Sequence, residues 1–279
     1  MKAIIKLIDW VLFTSLFAAT CATGMCMATE KLLLNSTPVS ITSLHLFIFG
    51  STLVVYNLHF LLRSTEGNHT KHWSANYKFW HSIFIVAGSL MVLYAAMFLS
   101  VAILQWCLVL GLLSFMYSLP LLPFLKKSRL KDYGWGKIII LVAVWTIATG
   151  ILPIVYLHQS IADYPFEVVI RASLLFALCI AFDVRDMRGD ALNSIRTIPN
   201  TIGAGRSYVL IDISLFIFLL SSIIQYIRYP LPMRLVAEIA TVLVAKLVMI
   251  YIREHPSDRA YLGLVDGVML LYAVLILTN

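Results

Sequence analysis

The chain has 279 residues, 61% of them hydrophobic and only 13% charged, with a mean hydropathy of +0.90. That composition cannot cover a wetted surface, so a soluble globular domain is excluded and a polytopic membrane protein is expected. The net charge of +7 calls for no nucleic-acid partner, because basic loops beside the anionic headgroups of a lipid bilayer account for it.

Apolar windows of about 17–25 residues, the length that crosses a roughly 30 Å hydrocarbon core, fit nine times. They lie near 8–29, 42–62, 79–99, 101–123, 137–157, 166–183, 207–227, 233–252 and 260–277. The expectation is an all-α polytopic membrane protein with nine transmembrane helices, forming a single membrane domain over 1–279. The first window runs on through Met27, longer than the apolar region of a cleaved signal peptide. Between the third and fourth windows only Ser100 and Gln105 break the apolar run, which predicts a tight hairpin. The longest polar stretch, Ser64 to Lys78, leaves no room for a second soluble domain.

Of the 21 Lys and Arg, sixteen fall in the segments on the side of the amino terminus, four on the other side, and Lys246 within a span. Cytoplasmic loops carry the excess of Lys and Arg. This predicts a cytoplasmic amino terminus and an outer carboxyl terminus in a cell (inner) membrane. Cys21, Cys26, Cys107 and Cys179 all fall inside windows without a CxxC pairing and read as small packing residues. His69 and His72 have HxxH spacing in a loop without an acid partner, and no zinc site is expected there. Lys246 and Asp266 are ionisable groups within spans, where snorkelling or a mutual pair is the simplest account. The tryptophans suit interfacial belts.

The most informative run is FDVRDMRGDALNSIRTIPNTIG, beginning at Phe182. On a helix Asp183, Asp186 and Asp190 fall at i, i+3 and i+7 and share one face. Three such acids repel one another in low dielectric unless a cation, an arginine or protonation relieves them. Two readings stay open: a metal site, or carboxylates paired with Arg185, Arg188 and Arg196 in a solvated loop. A faint echo of the run lies upstream. LVVYNLHFLLRST at 53–65 can be laid over CIAFDVRDMRGDA at 179–191, with Tyr56 on Phe182 and Asn57 on Asp183, as an ancestral duplication would leave it.

These residues resemble the UbiA superfamily of intramembrane prenyltransferases. That family has nine helices, with an acid motif in the polar loop after the second helix and another after the sixth. Its second motif is matched by Asp183, Asp186, Asp190, Arg196, Thr197 and Pro199, with Ser194 where glycine is common. MYSLPLLPFLKKSRLKDYGWGK at 116–137 is similar to the family's segment between helices four and five. The resemblance implies a helical bundle with a central cavity open to the cytosol. It implies a prenyl diphosphate and a membrane-soluble, lipid-like or aromatic acceptor as substrates, with Mg2+ as cofactor. Asp183, Asp186 and Asp190 would be metal ligands, the latter two also catalytic. Arg196, Lys131, Arg188, Arg63 and Thr197 would hold the substrate, and Tyr56 and Tyr117 would stand beside it as aromatic faces for a developing carbocation.

The family's first motif, approximately NDxxDxxxD, is degenerate here. The matching stretch reads YNLHFLLRSTEG, and no register restores a carboxylate. Asn57 and His59 stand at that half-site as catalytic candidates. Asn57 reads equally well as an interhelical hydrogen-bond donor, and His59 as a packed histidine. Two functions follow: a divergent prenyltransferase, or a noncatalytic member of the fold that binds an isoprenoid lipid or serves as a subunit beside a membrane-protein partner.

Overall fold

The computed structural model describes residues 2–34, 40–63, 71–118, 134–192 and 195–279. Every regular element among them is helical, in keeping with an integral membrane protein. They are α1 (Lys2–Phe13), α2 (Leu16–Leu34), α3 (Ser43–Arg63), α4 (Lys71–Ala96), α5 (Val101–Ser118), α6 (Trp135–Tyr156), α7 (Pro165–Leu192), the short α8 (Ile198–Ile202), α9 (Ala204–Arg228), α10 (Pro232–Glu254) and α11 (Asp258–Thr278).

Seven of the described helices are long and apolar enough to cross a membrane: α3, α4, α6, α7, α9, α10 and α11. The expected first span is instead two helices, α1 and α2, meeting at a 62° bend. Ser15 at the junction has φ +63°, a left-handed conformation that an α-helix cannot continue through. If the bent pair counts as one span, eight are present. Of the expected fourth span only α5 is described, and it contributes a shorter apolar helix, Val101–Ser114. The link between α4 and α5 is as short as its sequence implies, occupying 97–100. Yet α4 packs on α3 and α5 on α6, so the two helices diverge from the turn.

Packing runs from α4 to α3, α3 to α2, α2 to α11, α11 to α10, α10 to α9, α9 to α7 and α7 to α6, with α6 returning to α2. In α7, 61% of the apolar window is buried inside the protein, against 17% in α4, so α7 is a central post and α4 a peripheral one. The outward residues Val86, Leu90, Phe216, Leu243 and Leu247 are exposed and apolar, as a lipid-facing surface requires. Helices α3 and α4 approach closely because Gly50 faces Gly88. A Cβ on Gly50 would stand 2.8 Å from the Gly88 carbonyl oxygen, and one on Gly88 2.7 Å from that of Gly50. Small residues permit such backbone contact between membrane helices.

Two π-helical segments interrupt the long helices, Ile147–Ile151 in α6 and Tyr261–Val265 in α11. The wider π turn has a positional effect. A step of four residues overshoots one α turn and falls short of one π turn, so Asp258, Leu262 and Asp266 all end on the same cavity wall.

Candidate functional site

Helix α7 continues past the expected end at residue 183 to Leu192, so the three acids lie on one helix, as their spacing predicts. Asp183 and Asp186 line a cavity of about 290 Å³ at this end of the bundle. Its polar wall is completed by Lys137 from the first turn of α6, Arg185, and Asp258 and Asp266 from α11. Its apolar walls come from Leu12 and Phe13 of α1, Phe17 of α2, Tyr56 and Phe60 of α3, Trp145 of α6 and Phe182 of α7, among others.

The charges are closely paired. Lys137 Nζ stands 2.8 Å from Asp183 Oδ1 and 2.9 Å from Asp190 Oδ2, so one ammonium bridges two of the three acids across two helical turns. Arg185 takes the third: its Nε donates to Asp186 Oδ1 at 2.8 Å and its Nη2 to Oδ2 at 3.2 Å. The same guanidinium lies over the rings of Phe182 and Tyr261, at 4.9 and 5.4 Å, which fixes it in place. Asp183 Oδ2 is buried and has no hydrogen-bond partner. A buried carboxylate oxygen without a donor is costly, and together with Asp186 on the same wall it offers hard oxygen ligands to one divalent cation such as Mg2+. The residues therefore fit one such ion.

Gly134 explains how Lys137 reaches this position. It precedes α6 with φ +56°, and a Cβ there would stand 2.2 Å from the Arg196 carbonyl oxygen. Only glycine lets the Arg196 to Pro199 segment lie against the head of α6. That contact ties the turn after α7 to the helix carrying Lys137.

Of the candidates at the degenerate half-site, Tyr56 and His59 line the cavity. Tyr56 is anchored by Trp145, whose Nε1 donates to its hydroxyl at 3.1 Å, with the rings edge to face. Asn57 is fully buried and does not line the cavity. Its Nδ2 donates to the Thr14 and Leu53 carbonyls at 3.0 and 2.8 Å, which makes Oδ1 the acceptor toward His81 Nδ1, 2.7 Å away. That bond places the proton on Nδ1 of neutral His81 and leaves Nε2 as the lone-pair atom. His81 itself lines the cavity, stacked on Phe60.

Arg188 and Arg196 are exposed, and neither lines the cavity. Thr197 is buried and does not line the cavity, with no partner for its hydroxyl. Lys131 and the side chains of Tyr117 and Arg63 lie outside the described residues. Lys246 pairs with Asp212 on α9, not with Asp266, which is at the cavity.

Five ionisable cavity residues stand outside the sequence-based candidate set: His81, Lys137, Arg185, Asp258 and Asp266. Lys137 counts in the sequence only as one more basic residue at a span boundary. His81 follows Trp80 in an apolar helix without any distinguishing spacing.

No family model matches the chain, and no curated protein matches it. Solved structures do. A UbiA homolog from Archaeoglobus fulgidus bound to GPP and Mg2+ is similar at a TM-score of 0.63 and 12% identity, over 97% of this chain and 100% of that one. The same homolog bound to Cd2+ gives 0.63 and 13%, with equal coverage. The apo UbiA homolog from Aeropyrum pernix K1 gives 0.63 and 14%, over 92% of this chain and 97% of that one. The acid-lined cavity of the present chain thus sits within the fold of UbiA homologs, shared over nearly its whole length.

Proposed function

We propose that the chain is a divergent UbiA-type prenyltransferase, moving a prenyl group from a prenyl diphosphate to a membrane-soluble acceptor with the aid of Mg2+. The observation that carries this reading is the cavity's division. Carboxylates and two cations stand at one wall and aromatic side chains along the others, matching a ligand that is a polyanion at one end and a hydrocarbon at the other. The solved homolog that binds GPP and Mg2+ has this fold.

Bound Mg2+ would supply charge neutralisation of the leaving diphosphate. Asp183 and Asp186 would hold the ion through carboxylate oxygen, with Asp190 keeping Lys137 in line. Lys137 and Arg185 bring their positive charge to the diphosphate oxygens, replacing charge that a second acid cluster and ion would bring. The allylic C–O bond breaks with its electron pair on diphosphate. Tyr56 and Phe182 present ring faces to the carbocation. The acceptor forms the new bond and loses a proton, for which Nε2 of His81 is the base held in the correct tautomer. The site faces the cytoplasm of a cell membrane, following the basic-loop bias.

A noncatalytic lipid-binding or complex-forming role is the second reading. Asn57 favours it, because its amide is consumed by Thr14, Leu53 and His81 and has nothing left for substrate. Calorimetric titration of the purified protein with geranyl and longer prenyl diphosphates, with and without Mg2+, decides between them. Mg2+-dependent binding lost in Asp186→Ala is expected. Absence of binding in every condition would move the protein to the second reading.

A further inference from the structure

At the end of the bundle away from the acid run, Cys26 and Glu30 stand one turn apart on α2 and face His45 in the first turn of α3. Cys26 Sγ, a Glu30 carboxylate oxygen and a His45 ring nitrogen all lie within 4.8 Å of one another. The three residues are 0%, 2% and 1% exposed. We propose that they form a metal site for a Zn2+-class divalent ion, clipping α2 to α3 independently of the acid-lined cavity.

Two observations beyond the clustering point to a ligand. First, Glu30 Oε1 is buried without a partner. Second, His45 Nε2 stands 3.3 Å from Glu30 Oε2 yet is not aligned to hydrogen-bond with it and has no other partner. Two complementary groups buried side by side in an apolar interior should form a good hydrogen bond, because unsatisfied polar atoms there are costly. Their misalignment is what a shared third partner between them would produce.

The donor set selects the ion. Thiolate, imidazole and carboxylate together suit zinc and exclude the all-oxygen preference of magnesium and calcium. Zinc bonds of about 2.0–2.3 Å put tetrahedral donors roughly 3.5 Å apart, so closure needs about an ångström of side-chain movement. One thiolate and one carboxylate cancel the ion's two charges, so the loaded cluster is itself neutral. The nearby cation, Arg171, is already held by Thr29 Oγ1 at 2.5 Å and the Met25 carbonyl at 3.3 Å.

Binding has a defined proton balance. Cys26 releases its thiol proton. The imidazole proton must move to Nδ1, because the metal takes the Nε2 lone pair. In the metal-free arrangement Nδ1 accepts the Thr42 backbone N–H at 3.0 Å, with Thr42 Oγ1 at 3.1 Å. Loading therefore exchanges the first contact for the second, with Nδ1–H donating to the threonine hydroxyl and orienting the ring from behind. Three donors leave a fourth position for water.

The test uses the full-length protein, with its affinity tag removed, produced in zinc-supplemented and in cobalt-supplemented medium so that the buried site loads during folding. Elemental analysis should give about one zinc per chain, consistent with three dedicated ligands. The cobalt form should show thiolate-to-cobalt charge transfer in the near ultraviolet. Both signals should vanish in Cys26→Ser and in His45→Gln, and persist in Cys21→Ser and Asp186→Ala, with folding of each variant checked by size exclusion. Wild-type protein that folds without stoichiometric metal overturns the proposal, as does a thiolate-cobalt band that survives Cys26→Ser. Because the cavity variant Asp186→Ala is a control, failure here leaves the prenyltransferase reading standing.

Discussion

The two ends of α7 bury charge in opposite ways. At its first turns Glu167 is paired with Arg234 at 2.5 Å, Arg234 with Glu238 at 2.9 Å, and Gln225 donates to Glu167 at 3.3 Å. These groups are buried and pack between α7, α9 and α10 without lining the cavity. At its last turns Asp183 and Asp186 are paired as well, but with cations that share a cavity wall, and Asp183 keeps an oxygen without a donor. A sealed network of ion pairs holds helices together. A network opening on a cavity, with one oxygen unsatisfied, is arranged to receive something.

The comparison fails if stability and ligand affinity do not separate between the two ends. The largest effect is expected from Arg234→Met. Removing one partner of a buried pair leaves uncompensated charge, at a cost of about 3–5 kcal/mol, here on both Glu167 and Glu238. Thermal unfolding in detergent should show a large loss of stability, while the fraction that folds keeps its affinity for prenyl diphosphate. Unchanged unfolding would mean the network is not what ties α7 to α10.

Asp183→Asn should reverse the pattern. It removes one anionic ligand of the proposed ion while keeping the side chain's shape, so Mg2+-dependent binding should weaken by about 100-fold, on the order of the loss of one charge-stabilising group in a closed site. Unfolding should move little, because Lys137 retains Asp190. A variant that loses stability but not affinity would make the cavity end a second structural network.

Gly134→Ala tests the link between the RTxP segment and Lys137. The new Cβ meets a backbone carbonyl in a left-handed conformation, and the combined strain costs about 2 kcal/mol. Since the displaced element carries Lys137, both unfolding and diphosphate affinity should fall, unlike either preceding variant.

The apolar windows made most of the helices legible, because hydrophobicity over a span's length is a property of composition. The bend at Ser15 was not, since a serine in left-handed conformation looks like any other serine in the run. In the site, the acid run was legible because its spacing of three and four is a helical period. Its partners were not. Lys137 lies 46 positions before Asp183, and only folding of α6 beside α7 brings them together. Asp266 read as a snorkelling or paired residue because the π turn that keeps it on the cavity wall leaves no mark in hydropathy. Arg185 was visible as a neighbour of the acids, but its stacking on Phe182 and Tyr261 depends on α11.

Asn57→Ala is expected to have a modest effect on stability and the most specific one on chemistry. The substitution leaves two backbone carbonyls and His81 Nδ1 without their shared partner. Relaxation of α1, α3 and α4 offsets part of that, for a net cost of about 1–2 kcal/mol. Asn57 does not line the cavity, so prenyl diphosphate affinity should stay near wild type. With nothing holding the proton on Nδ1, His81 samples both tautomers, and the catalytic rate constant should fall while KM does not. Asn57→Asp should restore the rate in part, since a carboxylate still accepts from Nδ1. A drop in diphosphate affinity as large as the drop in rate would place Asn57 at the substrate and end its role as the residue that orients His81.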